Sequence, residues 1–209
     1  INGCLGMVAV MFKYGMIMAG GLGTRLRPLT HSIPKPLLPV GEKPIIQFII
    51  EQMKDHGIET IFISVNYKKE VIKNYLRDGS RFGLKIFYLE EIERMGTAGA
   101  LSLLPDDFEE NLLISNGDLI SSVDYQMVYE KLEQFDFVVT GIEKKMYIDF
   151  GVLKVKNERE LIGWEEKPEY PYLINGGIYG VSSRVIRVAK ECSKRNHYLD
   201  MPTLWNYIK

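Results

Sequence analysis

Cysteine is nearly missing from this chain: Cys4 and Cys192 are the two among 209 residues. So few thiols exclude a disulfide framework. Neither cysteine has metal-ligand spacing, so both read as structural or incidental in a reducing compartment. An excess of charge is missing as well, since 26 basic residues face 27 acidic ones for a net of -1. Without a domain-wide basic field, nucleic acid is not an expected partner, and an anion has to be held by a local site. Long clean apolar runs are also absent. The segment Ile1 to Met18 is apolar and glycine-containing, but Lys13 breaks it, its stretches are short for a membrane span and no charged leader precedes it. No membrane partner is expected, and the location expected is cytoplasmic. Residues 1–14 read as an N-terminal extension or tag, and residues 15–209 as one compact domain able to bury roughly 70% of its unfolded surface. Two familiar phosphate loops are missing too. No Gly-Lys-Ser/Thr occurs, and a dinucleotide fingerprint begun at Gly21 fails at Leu26, where glycine or alanine is needed.

What is present is a concentrated stretch from Ala19 to Pro39. Three glycines, Gly20, Gly21 and Gly23, follow a short apolar run, Gly15 to Ala19, that reads as a buried strand. Glycines let successive backbone N–H groups turn toward one anion with no Cβ in the way, and Arg25 and Lys35 add full positive charge beside them. On the glycines alone, a tight turn with chance arginines is the competing reading. Pro34 and Pro36 bear against it, because each restricts its own φ and the residue before it, so Lys35 is expected in a rigid, extended backbone. The stretch looks built to hold a triphosphate.

Beyond it the pattern alternates. Pro44 to His56 is helical, with Ile45, Phe48, Ile49, Gln52 and Met53 at three-four spacing, Pro44 suited to the first turn and Gly57 closing the end. Strands are expected over Thr60 to Asn66, Leu84 to Glu90, Leu112 to Ser115 and Phe137 to Ile142. Helices are expected over Glu70 to Asp78, Thr97 to Leu104 and Tyr125 to Gln134. This rhythm predicts an α/β fold, a Rossmann-like, mainly parallel sheet flanked by helices, with right-handed crossovers and ligands at the carboxyl ends of the strands. The glycine loop, Glu91 and Asp118 all fall at such ends. After about residue 143, hairpin-like strands at Gly151 to Val155, Leu161 to Glu166 and Leu173 to Val181 predict a β-rich subdomain. There is no internal repeat and no low-complexity tract.

The chain resembles the sugar-1-phosphate nucleotidyltransferases, also called nucleotide-sugar pyrophosphorylases. The resemblance is carried by Gly20 to Leu26 and Pro34 to Pro36, then by Gly96 to Ala100, Asn116-Gly117-Asp118, Glu166-Lys167-Pro168, Asn175-Gly176-Gly177-Ile178-Tyr179 and Asp200-Met201-Pro202. It covers about residues 15 to 208 and looks most like mannose-1-phosphate guanylyltransferase-type members, some of which have upstream regulatory domains and serve surface polysaccharide. It implies a nucleoside triphosphate and a sugar-1-phosphate as partners, and leaves a homo-oligomer open. The family's second metal-binding aspartate lies in a Trp-x-Asp-x-Gly segment that these 209 residues do not contain, so the domain is expected to be C-terminally shortened.

By the same resemblance, Ala19, Gly20, Gly21, Gly23, Thr24, Glu91, Gly96 and Thr97 bind the nucleotide, and Asp118 binds Mg²⁺. Gly151, Glu166 and Asn175 meet the sugar, and Lys167 its phosphate. Arg25 takes the departing pyrophosphate, and Lys35 the nucleotide phosphates. Read by itself, Asn116-Gly117-Asp118 is equally a turn, Glu166-Lys167-Pro168 equally a surface charge run, and Glu91 equally a solvent-facing carboxylate beside Glu90 and Glu93. Trp164 and Tyr179 are sugar platforms or, as aromatics alternating along strands more often are, core. Glu91 stands where uridylyl and thymidylyl members commonly place glutamine. An ionised carboxylate only accepts hydrogen bonds, so it suits the paired donors N1–H and N2–H₂ of guanine and points to GTP. The expected reaction transfers a nucleotidyl group from GTP to a hexose-1-phosphate, releasing pyrophosphate. A uridylyl- or thymidylyltransferase and a non-catalytic nucleotide-sugar-binding regulator are the alternatives.

Overall fold

The computed structural model describes residues 11–209, so Cys4 and most of the expected N-terminal extension lie outside the described residues. In chain order the elements are β1 (Tyr14–Met18), β2 (Pro39–Val40), β3 (Lys43–Pro44), α1 (Ile45–Asp55), β4 (Thr60–Val65), α2 (Lys69–Leu76) and β5 (Lys85–Glu90). There follow β6 (Leu112–Asn116), α3 (Tyr125–Lys131), β7 (Phe137–Tyr147), β8 (Val152–Lys156), β9 (Glu160–Glu165), β10 (Glu169–Val181), α4 (Ser183–Arg195) and α5 (Met201–Ile208). Two compact units result, one running through Val138 and resuming at Gly177–Lys209, the other Val139–Gly176.

The first unit is built on a sheet ordered β5-β4-β1-β6-β10-β7. The pairs β5/β4, β4/β1 and β1/β6 are parallel, with Met18 opposite Ser64 on one side and Asn116 on the other. β10 joins β6 antiparallel through Ile178 to Val181. The chain leaves β1 toward β4 and β5, then returns to lay β6 on β1's other side. The strand order therefore reverses at β1 and β6, and an open α/β sheet has its crevice at such a point, outside the carboxyl ends.

Strand alternation explains the layering, because successive side chains point to opposite faces. Ile17, Ile61, Ile63, Leu113 and Ile178 pack with Ile46, Ile49, Ile50 and Met53 of α1, Ile72 and Leu76 of α2, and Tyr125 and Val128 of α3. Their immediate neighbours Met16, Phe62, Leu112, Ile114 and Tyr179 pack instead with Leu101, with Val185, Ile186 and Ala189 of α4, and with Met201 and Leu204 of α5. Both faces are covered, as the α/β reading requires.

Two expectations need correcting, and two helices were not expected. The segment expected as a helix over Thr97 to Leu104 is a short 3-10 helix, Gly99–Leu103, whose start is held by Leu199 O accepting from the N–H groups of Ala98 and Gly99. Lys35 is not extended. It opens a 3-10 turn, Lys35–Leu37, in which Leu37 N donates to Pro34 O at 2.8 Å, and only Pro34 keeps the extended backbone. Helices α4 and α5, absent from the sequence reading, form much of one face.

The second unit is a set of antiparallel strands. β8 pairs β9 from Val152 opposite Glu165 to Lys156 opposite Glu160. Asn157 and Glu158 both take left-handed backbone, with φ of 49° and 62°, which a tight hairpin turn demands. Among the described residues, 139–176 contribute no hydrophobic side chain to the buried core.

Candidate functional site

The first unit carries a cleft of about 510 Å³ whose walls come from four separate loops. Ala19 to Leu26 follows β1, Glu91 to Thr97 follows β5, and Gly117 and Asp118 follow β6, all at carboxyl ends, while Lys35 and Pro36 come from the proline segment. Eleven of the predicted site residues line this one cleft: Ala19, Gly20, Gly21, Gly23, Thr24, Arg25, Lys35, Glu91, Gly96, Thr97 and Asp118.

The loop after β1 is shaped by what its glycines lack. Gly23 has φ of 60°, and a Cβ there would sit 2.8 Å from Thr30 Cγ2. Its carbonyl accepts from Leu26 N at 3.0 Å and from the buried Thr30 hydroxyl at 2.9 Å, which pins the turn that presents Thr24 and Arg25. Nothing in the sequence singles out Thr30 for this role. Gly21, by contrast, has nothing within 4 Å of a Cβ position, so its side of the loop faces open cleft. Pro34 and Pro36 are buried while Lys35 between them is half-buried, so two packed rings hold the lysine at the rim.

Lys35 reaches across the cleft mouth to ion-pair with Asp118 Oδ2. The sequence reading gave these two residues separate tasks, and the structure brings them together. Asp118 is held in place by its neighbour: Gly117 N donates to Met18 O at 2.9 Å, and a Cβ on Gly117 would meet that same oxygen at 2.6 Å. Only glycine fits between the ends of β1 and β6.

The three glutamates at and beyond the end of β5 separate cleanly. Glu90 pairs with Lys69 and Lys73, which hold its carboxyl down at about 2, and Glu93 is exposed. Glu91 lines the cleft. A Cβ on Gly20 would lie 2.9 Å from Glu91 Oε1, and Glu91 Oε2 accepts from Met95 N at 3.3 Å. Burial pushes the Glu91 carboxyl above the ordinary carboxylate range, opposed by the Met95 N–H and Ser64 interactions. Thr97 also lines the cleft, but its hydroxyl accepts from Met201 N at 2.9 Å, so that oxygen positions the loop. Asp200, which the sequence reading did not promote to a ligand, caps α5 by accepting from Thr203 N at 2.8 Å.

In the second unit Gly151, Trp164 and Glu166 come together. Trp164 Nε1 donates to Glu166 Oε2 at 3.3 Å, and a Cβ on Gly151 would lie 2.4 Å from Trp164 Nε1 and 3.0 Å from Glu166 Oε2. Trp164 is 67% exposed and so is not core, whereas Tyr179 is buried at 4% and is. Lys167 has φ of 46° directly before Pro168, a left-handed conformation costly for a non-glycine residue in that position. Asn175 is exposed in β10.

An α/β sheet with a glycine loop, a lysine, an arginine and an aspartate around the cleft at its reversal point defines a phosphate-handling nucleotide-binding class. Residues 14–203 match the family described as Nucleotidyl transferase, and the chain belongs to it. It is 36% identical over 165 residues to D-glycero-alpha-D-manno-heptose 1-phosphate guanylyltransferase of Campylobacter jejuni, covering 78% of this chain and 73% of that protein. To the bifunctional protein GlmU of Methanocaldococcus jannaschii it is 36% identical over 178 residues, 84% of this chain but 41% of that protein, so it spans less than half of this longer relative. The crystal structure of HddC from Yersinia pseudotuberculosis superposes with a TM-score of 0.69 at 26% identity, over 90% of this chain and 83% of that one. The Campylobacter jejuni relative is named for transfer of a guanylyl group to a sugar 1-phosphate.

Proposed function

We propose that the chain transfers a nucleotidyl group, GTP being the favoured donor, to a hexose-1-phosphate, yielding a nucleotide sugar and pyrophosphate. The observation that carries this reading is the convergence of the glycine loop, Arg25, Lys35, Asp118 and Glu91 on one cleft. A sugar-phosphate oxygen is already an anion at neutral pH, so it attacks the α-phosphorus in line without a general base. Catalysis is then positioning and charge neutralisation. The glycine loop cradles the triphosphate, Arg25 meets the departing pyrophosphate, and Lys35 leaves Asp118 for the nucleotide phosphates. The Asp118 carboxylate suits Mg²⁺, a hard cation that takes one or two carboxylates and completes its shell with phosphate oxygens and water. When bound, that ion neutralises phosphate charge. The sugar roles of Gly151, Glu166, Asn175 and Lys167 belong to the same proposal, each tested by its own alanine variant (for Gly151, alanine adds a methyl).

Glu91 supports guanine, as do relatives named for guanylyl transfer in Campylobacter jejuni and Oryza sativa. A uridylyl reading has its own support, since the chain is 31% identical over 191 residues to UTP--glucose-1-phosphate uridylyltransferase of Synechocystis sp., across 49% of that protein. Pyrophosphate release measured with Mg²⁺, each of five nucleoside triphosphates and a panel of hexose-1-phosphates separates the two. Turnover with GTP and mannose- or heptose-type phosphates is expected, and turnover confined to UTP overturns the guanine assignment.

A further inference from the structure

We infer that Tyr198 is a further nucleotide-contacting residue, its ring covering the nucleobase. The inference rests on the proposed nucleotide cleft. Tyr198 lines that cleft, although it lies about a hundred residues away in sequence from Glu91, Gly96 and Thr97 on the same wall. Its backbone is held by a clasp. Tyr198 N donates to Asn196 Oδ1 at 3.2 Å, and Leu199 N donates to Met95 O at 2.8 Å. Leu199 O accepts from Ala98 N at 2.9 Å and Gly99 N at 3.0 Å, and Met201 N donates to Thr97 Oγ1.

The clasp fixes which end of the cleft the ring serves. Met95 bonds to the Glu91 carboxylate through its N–H and to Leu199 through its C=O, so Tyr198, next to Leu199, is tied through Met95 to the loop that carries the proposed base reader. The ring itself is uncommitted. It is 55% exposed, and among the described residues it stacks on no other aromatic ring and its hydroxyl has no hydrogen-bond partner. A rigidly mounted, half-open aromatic at the base end of a nucleotide cleft is suited to stacking, which tolerates any base because every base has a π-face. Glu91 then supplies discrimination, and Tyr198 supplies affinity common to all bases.

Calorimetric titration of the full chain with GTP, UTP and inorganic tripolyphosphate tests this. Tyr198→Ala should raise the dissociation constants of both nucleotides by about tenfold and by similar factors, the order expected for a lost stacking contact. Tripolyphosphate affinity should stay at the wild-type value, and Tyr198→Phe should keep nucleotide affinity. Tyr198→Leu, which keeps apolar bulk without the π-face, should behave as the alanine variant does and guards against a packing effect. Unchanged nucleotide binding in Tyr198→Ala, or an equal loss for tripolyphosphate, overturns the inference. Wild-type protein that binds no nucleotide removes the cleft reading and this inference with it, a result distinct from either.

Discussion

Replacing Gly96 by alanine should separate the clasp around the nucleotide loop from the loop's chemistry. Gly96 has φ of 81°, and a Cβ there would fall 2.4 Å from Leu199 O and 2.7 Å from Leu199 C, both backbone atoms that cannot swing aside as a side chain does. The left-handed backbone alone costs an alanine about 1–2 kcal/mol. Moving Leu199 away strains its bonds to Met95, Ala98 and Gly99, each worth about 1 kcal/mol. The expected loss is about 3 kcal/mol, or a melting temperature lower by roughly 6–12 °C at this chain length. Urea denaturation followed by far-UV circular dichroism measures it. Gly21→Ala is the control, since nothing lies within 4 Å of its Cβ position and its φ is not left-handed. That variant should stay within about 0.5 kcal/mol of wild type, yet bind nucleotide more weakly because the methyl fills the cleft. A Gly96→Ala protein as stable as wild type would refute the close approach of the two segments.

Arg25→Ala should lower turnover by about tenfold or more, the worth of one charge-assisted contact, while leaving the melting temperature unchanged, because Arg25 is exposed and packs in no core cluster. Equal turnover in that variant removes Arg25 from the chemistry. Glu91→Gln should stabilise the ligand-free protein slightly and weaken GTP binding. The folded carboxyl is raised, so its charged form opposes folding at neutral pH, and that penalty disappears as pH falls through the raised value. A lower melting temperature for this variant at pH 7 contradicts the sign. Asp200→Ala should cost about 1 kcal/mol by removing the cap of α5. The Asp200 carboxyl is depressed by its Thr203 hydrogen bonds, so its contribution is complete above the ordinary aspartate range and is lost as pH falls below it. The stability difference between wild type and Asp200→Ala should therefore shrink in acid, as paired melts at pH 7 and pH 3 would show.

Much of the site was legible because its chemistry is local in sequence. Gly20, Gly21 and Gly23 sit within four residues: Gly23 takes left-handed backbone, Gly20 leaves room for Glu91, and Gly21 keeps its side of the cleft open. Lys35 was legible as a mounted cation, but its conformation was not. Pro34 fixes the entry to the turn, and closing it depends on Leu37 and Leu38 donating back to Pro34 and Lys35. The same limit explains the 3-10 helix at Gly99–Leu103, whose start is set by Leu199, a hundred residues downstream. Helices α4 and α5 had readable signals: Val185, Ile186 and Ala189 recur on one face after Ser182, and Asp200 with Pro202 is a helix-start pattern. The ion pair of Lys35 with Asp118 and the bond from Met201 to Thr97 join residues 83 and 104 positions apart, and only the folded sheet brings them together.

The central claim is that the cleft at the carboxyl ends of β1, β5 and β6 holds a nucleoside triphosphate and that Glu91 reads guanine. The most direct measurement is the thermal stability of the chain with Mg²⁺ and, separately, GTP, UTP, dTTP, CTP and ATP. A ligand present at a hundred times its dissociation constant adds about 2.7 kcal/mol to the folded state. The account predicts a shift largest with GTP and lowered by Glu91→Ala to the size seen with the other nucleotides. A shift confined to UTP or dTTP, or none with any nucleotide, contradicts it.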